Sequence, residues 1–129
     1  MNIEEFAYEV ETEKKFGDAV VSVLKSAEQK GWALFQVYDI AERLAANGFE
    51  QKPVKIIEIC SAKHANQFMN ANRLVALCLP CKIVVLEDNG KVRIAGMKHA
   101  LVSQFFPEVS PEQTVQADTE IREIVDNSR

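Results

Sequence analysis

The chain has 129 residues, 47% hydrophobic and 26% charged, the proportions of an ordinary globular domain, which excludes disordered, collagen-like and low-complexity architectures. At this length it is expected to fold as one domain over residues 1–129, burying roughly two-thirds of its extended-chain surface. The net charge is −4, and the densest basic pair, Lys14-Lys15, adjoins Glu13; nucleic-acid binders draw most of their affinity from a basic stripe, so nucleic acid is excluded as a partner.

Met1-Asn2-Ile3-Glu4-Glu5 is acidic where a secretory signal is basic. Phe6 to Glu11 roughly alternates apolar and polar residues, which predicts a first strand, and Thr12 can cap the following helix. Phe16, Ala19, Val20, Val23, Leu24 and Ala27 then form an apolar stripe at helical period, with Gly31 as the stop. Trp32 to Tyr38, rich in aromatics, reads as a second strand. Asp39 caps a short helix carrying Ile40, Leu44 and Ala45, which ends at Asn47-Gly48.

Val54 to Ile59 is a third strand, buried enough to blur its alternation. Ser61 caps a helix expected to turn Ala65, Phe68 and Met69 inward. The apolar run Leu74 to Leu79 is too short to span a bilayer, so no membrane association is expected. Lys82 to Glu87 and Lys91 to Ala95 flank Asp88-Asn89-Gly90, a strong hairpin signal. Leu101 to Phe106 suggests a short helix ended by Pro107, and Ser110-Pro111-Glu112-Gln113 is a capping box opening a last helix with Val115, Ile121, Ile124 and Val125. Stacked in layers, this order predicts an α/β chain of the two-layer α+β kind. Its sheet is expected to be mixed, with about five strands and the helices mainly on one face.

The residues with the richest chemistry are Cys60, His64, Cys78 and Cys81. Thiolate and imidazole suit zinc, copper or haem iron, and four such ligands can close a tetrahedral metal site. Against this, Cys81 opens a strand rather than a knuckle, and cysteine often packs simply as a small hydrophobe. Cys60 precedes the Ser61-capped helix, whose positive end would favour its thiolate, so thiol chemistry is a second possibility. His64 and His99, the only histidines, are candidate cofactor ligands, axial to haem iron for instance. No G-x-S-x-G, G-x-x-x-x-G-K-[ST], G-x-G-x-x-G or H-E-x-x-H motif is present, so no catalytic residue is assigned.

Three stretches together resemble the domain of unknown function 302 family: Thr12-Glu13-Lys14-Lys15-Phe16 with Ala19-Val20 and Gly31, Ile59-Cys60-Ser61-Ala62-Lys63, and Leu79-Pro80-Cys81 through Lys91-Val92. The resemblance covers nearly the whole chain. It implies a compact, stand-alone two-layer fold, dimeric, with no established activity. Cys60 and Cys81 match positions where cysteine is usual in that family. Ser61 and Ala62 depart from its Asn-Pro pair, and His64 and Cys78 are particular to this chain.

The expectation is therefore a cytoplasmic homodimer. It would be a non-catalytic binding module for a small ligand or a metal cofactor, haem or a soft transition metal, near Cys60 and Cys81. The alternative is a thiol-dependent redox or sulfur-transfer protein using Cys60.

Overall fold

In the computed structural model, which describes residues 2–129, five strands form one sheet in the order β1-β5-β4-β3-β2. The strands are β1 (Ala7–Thr12), β2 (Ala33–Asp39), β3 (Val54–Cys60), β4 (Cys81–Asp88) and β5 (Lys91–Met97). The helices are α1 (Ile3–Phe6), α2 (Phe16–Gln29), α3 (Ile40–Ala45), α4 (Ala62–Ala71), α5 (Val102–Phe105) and α6 (Pro111–Ser128), with a 3-10 segment at Arg73–Cys78. Among the described residues no helix is long and apolar enough to cross a membrane.

The α+β architecture and the strand number match the sequence reading, but the sheet is not mixed: all four pairings are antiparallel. Strand–helix–strand order suggested parallel neighbours. Here α2 joins β1 and β2 at opposite edges of the sheet, with three strands between them. Nor does α4 make a crossover. Ile59 at the end of β3 pairs with Cys81 at the start of β4, so residues 61–80 make an excursion beyond one end of the sheet and come back to it.

Local signals explain most boundaries. Asp39 Oδ1 accepts the Glu42 N–H at 3.0 Å and Ser61 Oγ accepts that of His64 at 3.4 Å, capping α3 and α4. At α6, Ser110 and Gln113 exchange both capping-box bonds. The hairpin turns at Asn89 and Gly90, both at positive φ, as a tight two-residue turn requires. Thr12 does not cap α2. Its hydroxyl accepts the Lys14 N–H in the preceding turn, and Lys15 occupies the cap position with no side-chain bond. The one-turn helix α1 precedes β1, with the Asn2 N–H donating to Glu5 Oε2 at 3.1 Å.

The main core lies between one sheet face and helices α2 and α6. Ala19, Val20, Val23 and Ala27 meet Ile57, Ile83, Val85 and Ile94, and Ile121, Ile124 and Val125 complete the layer. Val115 is excluded from the core and lies exposed on α6, where Ala117 takes the buried position. A second, smaller cluster of Phe68, Val75, Val102, Val109 and Ala117 fills the excursion beyond the sheet end.

Candidate functional site

The junction of these two cores is the chemically richest place in the molecule. One end of the sheet brings together the start of β2, the end of β3, the start of β4 and the end of β5. Trp32, Cys60, Cys81 and, two residues beyond β5, His99 gather there. Helix α4 covers them with Ser61, His64, Ala65 and Phe68, and α6 with Ala117. Together with Leu79 these side chains surround about 190 Å³ of interstitial space, nowhere wide enough for a water molecule.

Two polar chains run through this apolar setting. In the first, Cys81 Sγ lies 2.9 Å from His99 Nε2, with both residues buried. Asp118 Oδ1 accepts the His99 backbone N–H at 2.5 Å and stands 3.4 Å from His99 Nδ1. Placing the imidazole proton on Nδ1, facing that carboxylate, leaves Nε2 to accept the Cys81 S–H. Thiol and imidazole thus stand in nucleophile–base order, with Asp118 holding the His99 backbone while His99 Nδ1 makes no hydrogen bond of its own. Desolvation, then the neighbouring Cys60 and Asp118, push the Cys81 thiol far above the ordinary range, so it rests in the neutral form.

In the second chain, the Trp32 indole donates to Glu120 Oε1 at 2.9 Å, and His64 Nε2 lies 2.5 Å from Glu120 Oε2. Partial burial raises the Glu120 pKa, but the bonds from Trp32 and His64 and the Lys30 charge outweigh it and hold the carboxyl below its usual range. The Phe68 ring packs against both imidazoles, at 6.4 Å from His64 and 5.8 Å from His99 between centroids, and so bridges the two chains.

Outside the closed cavity, on the far side of Cys60, Ala65 and Leu79, runs an open groove of about 480 Å³. Its other walls are Phe35, Ala62, Asn66, Met69, Ala76 and Pro80. Those three residues form the partition between groove and cavity, and Cys60 supplies the only thiol among the groove's lining residues. Met69 is an expected core residue that faces this groove instead, partly exposed.

The structure brings Cys60, His64 and Cys81 to one cavity and leaves Cys78 out. That thiol packs against the second cluster, on the 3-10 segment. Among the described residues no three His, Cys, Asp or Glu side chains are placed to hold a metal ion. The Cys60, His64, Cys78 and Cys81 set therefore does not assemble: Cys78 and Cys81 are separated by the chain's turn into β4, and His64 is committed to Glu120. For haem, the open groove has no histidine in its lining, while His64 and His99 line the cavity, which has no room for a ligand. Nor does the α4 N-terminus activate Cys60. Desolvation raises that thiol's pKa, and its Sγ points toward the Ser61 carbonyl at 3.8 Å rather than toward helix N–H groups.

Sequence reasoning overlooked Trp32, Phe68, Asp118 and Glu120 as site residues. The available signal was the position of the two acids in α6, flanking a stripe of Ala117, Ile121 and Ile124 that is wholly buried. Acids beside such a stripe come within reach of whatever polar groups lie underneath.

No curated protein matches the sequence. The fold is similar to the crystal structure of an uncharacterized conserved protein DUF302 from Bacillus stearothermophilus, with a TM-score of 0.89 at 25% identity, over 96% of this chain and 98% of that one. The model of the family described as "Domain of unknown function DUF302" matches residues 8–128, and the chain belongs to that family.

Proposed function

We propose that the protein is a non-catalytic binding module that takes a small, largely apolar ligand in the groove over Cys60. The observation that carries this reading is the groove itself: about 480 Å³ of concave space, walled by Phe35, Ala62, Ala65, Met69, Leu79 and Pro80, with Asn66 as a polar contact. Such dimensions, with an apolar lining and few polar groups, are those of small-molecule sites. We place the protein in the cytoplasm on the strength of its three free thiols, which a reducing compartment preserves.

The test uses the fluorophore 8-anilinonaphthalene-1-sulfonate as probe. One saturable site per chain is expected, weakened about tenfold or more by Met69→Lys or Ala62→Glu, both on the exposed rim of the groove. Binding at the parent strength in both variants would place the site elsewhere. We propose further that the chain acts as a homodimer, supported by exposed Phe35, Leu77 and Phe105. Light scattering at micromolar concentration is expected to return twice the 14.5 kDa chain mass; the monomer mass alone would remove this part.

A further inference from the structure

We infer that Cys60 and Cys81 form a reversible dithiol that exchanges with small-molecule disulfides, with Cys60 as the thiol met from the groove and Cys81–His99–Asp118 as the resolving half. The inference rests on placement and is independent of the groove's natural ligand. Cys81 pairs with Ile59, the residue before Cys60. A strand spacing of about 4.8 Å and a rise of about 3.3 Å per residue then put the Cys60 and Cys81 Cα atoms about 6 Å apart, within the range that disulfides span. Regular strand alternation would send the two side chains to opposite faces. Cys60 is the last residue of β3, where the chain turns into α4, and both residues line the same cavity. Cys60 also lines the open groove, which Cys81 does not.

The steps balance. The Cys60 thiolate attacks one sulfur of a disulfide RSSR, forming the Cys60–S–SR bond and releasing RS⁻, which takes up the proton Cys60 gave up. His99 Nε2 then accepts the Cys81 proton across the 2.9 Å contact, while Asp118 faces the Nδ1–H of the resulting imidazolium. The Cys81 sulfur displaces the second RS⁻, which leaves as RSH with that proton. In sum, two protein thiols are oxidised to one disulfide and RSSR is reduced to two RSH. Cys78, on the other side of Leu79 and Pro80, takes no part.

The experiment treats the reduced full chain with oxidised glutathione and maps its peptides by mass spectrometry. The expected product joins Cys60 to Cys81, with no glutathione left on either and Cys78 outside the bridge. In Cys81→Ser, glutathione should stay on Cys60; in Cys60→Ser, no Cys81 product should form. His99→Gln should form the mixed disulfide at the parent rate and resolve it roughly 100-fold more slowly, as loss of a general base implies; Asp118→Asn is the companion variant should His99→Gln fold poorly. A disulfide through Cys78, glutathione held stably on Cys60 of the parent, or no reaction at Cys60 would overturn the pair. Unchanged resolution in both His99→Gln and Asp118→Asn would overturn the role given to His99.

Discussion

Glu120 ties Trp32 to His64: one carboxylate oxygen accepts the indole N–H at 2.9 Å, and the other stands 2.5 Å from the imidazole Nε2. Three elements distant in sequence, the start of β2, helix α4 and helix α6, are joined at one side chain. The contact seals the junction between the main core and the excursion at the sheet end, where both thiols of the site are packed.

Its pH dependence follows from the sign of the Glu120 shift. A carboxyl held below its usual range in the folded chain contributes stability that is fully present above the unfolded value, about pH 4.3. That stability is lost as pH falls through the lower folded value. Urea midpoints measured from pH 7 to pH 3 should therefore decline less steeply in Glu120→Gln than in the parent. At neutral pH the variant should be less stable by about 1–3 kcal/mol, the worth of a hydrogen bond to a charged group.

The thiols give an opposite, alkaline dependence. The Cys81 pKa is raised in the folded state, so its contribution is complete below the unfolded value of about 8.5 and is lost as pH climbs above it. Melting temperatures between pH 8 and pH 10.5 should fall in the parent and fall less in Cys81→Ala. In the native parent at pH 8, iodoacetamide should modify half-buried Cys78 first, then Cys60, with Cys81 last or only on unfolding.

Helix α6 crosses β5 at Gly96, with no space for a side chain. A Cβ there would lie 2.6 Å from Ile121 Cγ2 and 3.3 Å from Val125 Cγ2. Gly96→Ala should cost about 1–3 kcal/mol through overpacking. Ile121→Ala in the same chain should recover part of that loss, which a double-mutant cycle by urea denaturation would measure.

Val23 sits at the centre of the α2 face that meets the sheet, with no exposed surface. Val23→Asp places an unpaired carboxylate among Ile and Val side chains and should cost about 3–5 kcal/mol or unfold the chain. A variant that melts with the parent would contradict the packing of α2.

Where the stabilising interaction is local, the residues declare the structure. Asp39, Ser61 and Ser110 cap helices because a side-chain oxygen three residues ahead of an N–H reaches it whatever the rest of the chain does. Asn89-Gly90 makes the hairpin because it adopts positive φ at little cost. Met69 and Val115 show the limit of periodicity: each is apolar and close to a buried stripe, yet the neighbouring elements cover Phe68 and Ala117 and leave these two outside.

The amino-acid sequence by itself determined the class of fold and the family, because short-range hydrogen bonds, hydrophobic period and a local Leu-Pro-Cys pattern are all written within a few residues. Only the tertiary structure decided that the sheet is wholly antiparallel, that Cys78 is left aside, and that His99, Asp118 and Glu120 complete the site. Cys81 and His99 are 18 residues apart, and His64 and Glu120 are 56. Pairings at such distances depend on where the sheet end and two helices bring the chain back together, and no local preference of those residues encodes it.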